Sequence, residues 1–203
     1  MAILGYTRVG WESGRRRGLA RRGEVLESPI NGQRVVFRET AGETDGRLLR
    51  LDFYVAPGGF LGNEHLHPNQ DERIEVLSGT LRCRVGGSER NLDQGEAVTF
   101  PPGTAHTLWN EGEAEVHALV EYRPALRMES LFETLFGLGR DGKTDEQGSP
   151  NLLQGAVMLE EYEDEYRLAR LPLYVQKALL AVLAPLGRAR GYRGRYPRYS
   201  DPG

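Results

Sequence analysis

Three of the chain's four histidines and one glutamate stand at spacings that can hold a metal ion. His65 and His67 are two residues apart, and alternate side chains of an extended strand point to opposite faces, so both imidazoles project the same way. Pro68 and Asn69 permit a turn, after which Glu72 re-enters on a neighbouring strand and shares an inward face with Ile74 and Val76. Farther on, Pro101-Pro102-Gly103 makes a tight turn that feeds His106 onto another strand. If the sheet curls on itself, His106 is aimed at the same interior. Nitrogen and oxygen ligands of this kind suit Fe(II), Mn(II), Ni(II), Cu(II) or Zn(II), and an octahedral ion so held keeps positions open for water or substrate. Glu72 is expected to be a ligand that can also accept a substrate proton.

A strand-built scaffold must bring these residues together. Residues 24–123 read as short strand-like runs punctuated by Gly, Pro and Asn, the spacing of a sandwich or barrel, with no segment of helical period. Asn31-Gly32, between 25–28 and 34–38, signals a hairpin. Leu49, Leu51, Phe53 and Val55 alternate along the next strand. Leu81, Cys83 and Val85 alternate with Arg82 and Arg84 before Gly86-Gly87 turns the chain, which places Cys83 inward as an inert small hydrophobe. His117 is in phase with Glu115, Leu119 and Glu121 and is expected at the surface or rim. Asn110 is expected to tie down a turn, and Tyr54 and Trp109 are further pocket candidates.

The glycines and prolines around the ligands carry more information. Gly59, His65, His67, Glu72 and Gly79, then Gly95, Pro101, Gly103, His106 and Asn110, match every fixed position of the two motifs of the cupin superfamily. The short stretch between the motifs is that of small microbial cupins. Over roughly residues 24–123 the chain therefore resembles a cupin. The resemblance implies an all-β jelly-roll barrel, the double-stranded β-helix, with one divalent transition metal ion inside, and a homodimer formed through outer strands. It does not fix a reaction. Cupin dioxygenases place substrate and O2 side by side on such an ion, cupin sugar isomerases polarise a carbonyl, and decarboxylases stabilise an anion. The leading expectation is a metal-dependent, dioxygenase-like oxidoreductase acting on a small organic molecule in the barrel through His65, His67, Glu72 and His106. The competing class is a non-catalytic small-molecule binding or storage cupin, with an isomerase or decarboxylase as a further alternative.

Three regions follow from the pattern: a basic N-terminal arm over 1–23, the barrel over 24–123, and a C-terminal helical extension with a basic tail over 124–203. In the extension, Leu131, Phe132, Leu135 and Phe136 make one apolar helix face that Gly137 and Gly139 are expected to end. A polar linker covers 140–149. Ser149-Pro150 reads as an N-cap with proline at the first helical position, opening a helix with Leu152, Ala156, Leu159, Tyr162 and Tyr166 on one stripe. Pro172 is expected to start a third helix, and Gly187 to end it in an irregular tail. The segment 171–186 is apolar around much of its circumference and must be covered, by the barrel or by a second subunit. A second reading joins it to Arg188, Arg190, Arg193, Arg195 and Arg198, interleaved with Tyr192, Tyr196 and Tyr199, as a peripheral membrane contact over 171–199. Glu160, Glu161, Glu163, Asp164 and Glu165 read as a solvated helix face.

Composition narrows the classes. The net charge is −3, but the first 23 residues are basic and the barrel region acidic, so no phosphate-tracking surface and no nucleic-acid partner are expected there. One cysteine in 203 residues forms no internal bridge and offers no Cys-rich zinc site. With no signal-peptide core and no apolar stretch of spanning length read in the sequence, the expected location is cytoplasmic.

Overall fold

Alternating burial builds the strands. The computed structural model describes residues 20–200, so Arg15, Arg16 and Arg17 of the expected basic arm lie outside the described residues. Ten strands precede the first helix: β1 (Val25–Glu27), β2 (Arg34–Glu39), β3 (Leu49–Val55), β4 (His65–Leu66), β5 (Asp71–Ser78), β6 (Thr80–Val85), β7 (Ser88–Asp93), β8 (Ala97–Phe100), β9 (His106–Trp109) and β10 (Val116–Arg123). After α1 (Met128–Arg140) and α2 (Leu152–Glu161) come β11 (Arg167–Leu168), α3 (Leu173–Ala189) and a 3-10 turn over Pro197–Tyr199.

Two antiparallel sheets share one core. The six-stranded sheet runs β1-β2-β3-β10-β5-β8 and the five-stranded one β11-β4-β9-β6-β7. Leu49, Leu51 and Val55 of β3, Ile74 and Val76 of β5, Leu81 and Cys83 of β6, and Ala118 and Val120 of β10 all bury completely between them. Each large aliphatic side chain so buried stabilises the fold by about 1.5–3 kcal/mol. The fold is the expected jelly-roll barrel with a C-terminal helical extension. Burial pushes the Cys83 thiol up to about 11, consistent with an inert core residue. Gly79 turns β5 into β6 at φ +84°, and a Cβ there would lie 2.9 Å from Cγ2 of Val116, so both backbone angle and space require glycine.

The extension departs from the sequence reading at its glycines. Gly137 and Gly139 lie inside α1 and do not end it. A Cβ on Gly137 would fall 2.2 Å from the ring of Tyr199, so this glycine admits an aromatic side chain returning from the C-terminal tail. Gly187 likewise sits inside α3, where a Cβ would meet Val157 and the Leu153 carbonyl of α2. The cap of α2 is Asn151, whose Oδ1 accepts from the Gln154 N–H at 3.1 Å; Ser149 is not the cap. The stripe proposed for that helix is also broken, because Leu152 is exposed and Tyr166 lies beyond the helix end. Pro172 does cap the start of α3.

The tail is ordered by its own aromatic and basic residues. The Tyr199 hydroxyl donates to Asp141 at 2.7 Å, Arg198 pairs with the same carboxylate, and Tyr196 donates to Gln154 Oε1 at 2.6 Å. Arg188 pairs with Glu160. On α3, Leu173, Tyr174, Leu179, Val182 and Leu186 remain exposed. Among the described residues no helix is long and apolar enough to cross a membrane.

Candidate metal centre

His65 opens β4 and faces His106 of β9 directly across the ladder, while Glu72 stands at the start of β5. The two-residue spacing of His65 and His67 brings both rings into the barrel, their centroids 5.0 Å apart. His65, His67, Glu72 and His106 are all buried, and one ligand atom from each lies within 4.8 Å of all the others. All four predicted ligands thus converge.

Each imidazole is fixed from behind by a backbone carbonyl. His65 Nδ1 lies 2.7 Å from the Asn63 oxygen, His67 Nδ1 2.5 Å from that of Glu165, and His106 Nδ1 2.9 Å from that of Thr104. A ring that donates its Nδ1–H in this way presents a lone pair at Nε2, the tautomer a metal ligand needs. Those lone pairs meet the glutamate. His106 Nε2 is 2.6 Å and His67 Nε2 3.1 Å from Glu72 Oε2. Lone pairs of this kind converging on a carboxylate oxygen repel unless a proton or a cation stands among them. His67 Nε2 is also buried with no hydrogen-bond partner among the described residues, an arrangement that costs free energy unless something binds there. The donor set, three nitrogens and one oxygen, fits a divalent transition ion.

The remaining oxygen of the glutamate is held separately. The buried Tyr122 hydroxyl donates to Glu72 Oε1 at 2.8 Å, leaving Oε2 for the cluster. Burial acts to raise the Glu72 pKa, but His67 and His106 outweigh it and hold the carboxyl well below its usual range. Burial lowers His65 to about 3, helped by the neighbouring His67 and His106. It acts the same way on His106, where the hydrogen bond to Glu72, that carboxylate's negative charge and the Thr104 carbonyl together outweigh it and raise the pKa.

The C-terminal extension completes the site. Strand β11 pairs with β4, so Leu168 lies opposite His65. This pairing stacks the Tyr166 ring on His65, 4.7 Å between centroids, and brings the Glu165 carbonyl to His67. The Glu165 carboxylate is itself buried and bound by Arg127 at 2.8 Å. The solvated face expected for 160–165 is therefore corrected: Glu163 and Asp164 are exposed, whereas Glu165 turns inward to secure the segment that touches His67. Between barrel and extension lies a cavity of about 280 Å³, with His65, His67, Glu72, Tyr122 and Tyr166 in its wall.

Tyr54 and Trp109 do not line that cavity. Tyr54 lies on the outer face, stacked on His117 at 4.4 Å, and Trp109 donates from Nε1 to Glu111 at 3.2 Å. His117 is at the half-buried outer position expected of it, 2.9 Å from Asp52. Asn110 ties its turn as expected, donating to the carbonyls of Val55 and Ala114. Two site residues escaped the sequence reading. Tyr122 had a local signal, since it is in phase with Val116, Ala118 and Val120 on β10; Tyr166 had none, because only the β11–β4 pairing brings it to the site.

Comparison with known proteins agrees with this geometry. Residues 51–122 match the Cupin_2 family model, described as a cupin domain. The chain is 31% identical over 85 residues to the tetracenomycin polyketide synthase protein TcmJ of Streptomyces glaucescens, covering 42% of this chain and 55% of that one. It is 31% identical over 106 residues to an oxidoreductase of Arthrobotrys oligospora, covering 48% and 41%. The chain spans about half the length of the curated relatives it matches. Among solved structures, a cupin-superfamily sugar phosphate isomerase from Silicibacter pomeroyi is similar at 21% identity and a TM-score of 0.43, covering 49% of this chain and 70% of that one. With both motifs converging on one buried cluster and the family model spanning them, the segment 51–122 is a cupin domain.

Proposed function

We propose that this protein is a metal-dependent, dioxygenase-like oxidoreductase that acts on a small organic molecule in the cavity between barrel and extension. His65, His67, Glu72 and His106 would hold one divalent transition ion, which when bound supplies Lewis-acid and redox chemistry at open coordination positions. The observation that carries the reading is the set of three imidazoles, each tied at Nδ1 to a carbonyl, that converge with Glu72, with His65, His67 and Glu72 standing in the wall of a cavity. A closed structural site would have no such neighbouring space. The oxidoreductase name of the Arthrobotrys relative is in keeping with it.

The chain's own groups have definable tasks. Tyr122 anchors Oε1 of Glu72, so the carboxylate presents Oε2 in one orientation, as ligand and as acceptor for a substrate proton. Tyr166 covers the His65 ring and the helices bring apolar side chains to the cavity wall, which lowers the local polarity around the cluster. The test begins with metal content by inductively coupled plasma mass spectrometry, on untagged protein beside the His65→Ala, His67→Ala double variant. The expected result is about one equivalent of a transition metal, lost in the variant, followed by O2 consumption with phenolic or diketone substrates. Failure to take up metal even on reconstitution would overturn the reading.

A further inference from the structure

The walls of the cavity discriminate among chemical classes that the ligand set leaves equal. Phe53, Phe60, Phe132, Phe136, Tyr162 and Tyr166 contribute aromatic surface, from the barrel on one side and from α1, the end of α2 and the segment after it on the other. Phe53 and Phe132 meet edge to face, 6.2 Å between centroids, across the junction of barrel and helix. Among the described residues, Glu72 is the only lining side chain with a formal charge at neutral pH; no Lys, Arg or Asp contributes. A phosphate or a free carboxylate is ordinarily bound by Arg, Lys or an open helix N-terminus. Of the two helix starts at the cavity, that of α2 is capped by Asn151, and at that of α1, which begins at Met128 in the wall, the Glu165 carboxylate already accepts from the Arg127 N–H. Away from the ion that His65, His67, Glu72 and His106 would hold, an anionic group would therefore find no cation in the wall.

Several polar side chains of the wall are already engaged: Gln33 donates to the Phe60 carbonyl, Tyr122 to Glu72 and Tyr162 to Ser130. The inner end holds His65, His67, Glu72 and Tyr166, and the Tyr166 hydroxyl makes no hydrogen bond among the described residues although burial pushes its pKa up. The outer end holds Asn31 and Gln147, where the Asn31 amide donates to the Gln147 carbonyl. The rest of the wall is mainly aromatic and aliphatic, so a polyhydroxylated sugar would leave most of its hydroxyls unpaired, at about 1–3 kcal/mol each. Size adds a limit: an apolar cavity of about 150 Å³ holds one benzene, and this one is about 280 Å³.

From these features we infer that the cavity takes an aromatic molecule of about two fused rings that carry no charged substituent away from the ligand cluster, with one hydroxyl or carbonyl oxygen directed between Tyr166 and that cluster. This rests on the function proposed above and names its substrate class. The aromatic walls pack on the ring faces and edges, and the unengaged Tyr166 hydroxyl supplies a partner for the oxygen. The extension, by building one wall, selects the substrate.

Calorimetric titration of the full chain, reconstituted with redox-inert Zn(II), tests the inference with three probes: 2-naphthol, glucose and glucose 6-phosphate. The expected result is saturable binding of 2-naphthol alone. Leu159→Trp on α2 and Leu135→Trp on α1, which fill the cavity from two helices, are each expected to weaken it by about tenfold or more. Circular dichroism and metal content, read on the same samples, verify that each variant is folded and loaded. Binding of either sugar in preference to 2-naphthol overturns the inference, as does 2-naphthol binding that both folded tryptophan variants leave unchanged. Stoichiometric metal without 2-naphthol binding removes the substrate class and leaves the metal reading intact. Conversely, 2-naphthol binding that the tryptophan variants abolish, in protein that takes up no metal, sustains the cavity inference and removes the metal reading.

Discussion

Two histidine–carboxylate pairs lie on opposite faces of the barrel wall, and at first sight they are alike. His106 Nε2 stands 2.6 Å from Glu72 inside the barrel, and His117 Nε2 stands 2.9 Å from Asp52 outside it. Their surroundings separate them. Around Glu72 stand three imidazoles, each with Nδ1 engaged by a carbonyl, and His67 Nε2, 3.1 Å from Glu72 Oε2, makes no hydrogen bond among the described residues. Around Asp52 the second oxygen is taken by Arg38, the His117 ring lies flat on Tyr54, and the Arg34 guanidinium covers the other side of that tyrosine at 3.7 Å. The outer pair is therefore electrostatically complete, whereas the inner cluster has an excess of lone pairs. A histidine near a carboxylate becomes a ligand set only when donors are fixed from behind and nothing in the protein satisfies them in front.

The sharpest way to break this contrast is to disturb the inner carboxylate without touching a ligand. Tyr122→Phe removes the 2.8 Å bond to Glu72 Oε1 and keeps the ring against His67 and Phe132. The expected loss of metal affinity is about 10–100-fold, the usual effect of removing a group that orients a ligand, measured by competition with a chromophoric chelator. Unchanged affinity would show that Tyr122 contributes packing alone.

Acid titration of the metal-free protein gives the next contrast. The folded-state pKa of His65 is lowered to about 3, below its ordinary 6.5. As pH falls below 6.5 the unfolded chain takes up a proton that the folded state refuses, so stability present above that pH is lost progressively down to about 3. The depressed Glu72 carboxyl acts in the same direction below its ordinary range. The melting temperature of metal-free protein should fall across this window, and His65→Leu should flatten its upper part. An equally steep fall in that variant would place the acid sensitivity elsewhere.

What the sequence made legible follows the same division between local and distant causes. The barrel was readable because period-two burial is written residue by residue: Leu49, Leu51, Phe53 and Val55 alternate, and they bury. The convergence of His65, His67, Glu72 and His106 was readable because their spacing along strands fixes their faces. The extension was not, since its decisive contacts are tertiary. Gly137 and Gly187 carry the intrinsic signature of helix ends, yet each sits within a helix where a Tyr199 ring or the Leu153 backbone approaches too closely for a side chain. Glu165 reads as one more acid in a run of five, and only Arg127, 38 residues earlier, explains why it is buried. Tyr166 reaches the site through a two-residue strand pairing that no local pattern announces.

The smallest expected effect belongs to the outer pair, and its size is the control for the whole contrast. His117→Phe preserves the flat stacking on Tyr54 and removes only the bond to Asp52 Oδ1. Asp52 keeps Arg38, so the carboxylate is not stranded, and His117 is exposed enough for water to replace part of what is lost. The expected cost is about 1 kcal/mol or less, about 2–4 °C in melting temperature for a chain of this size, with metal content unchanged. If His117→Phe lowered metal content as Tyr122→Phe is expected to lower affinity, the two faces of the wall would be coupled, and carbonyl-fixed imidazoles would no longer suffice to set the two pairs apart.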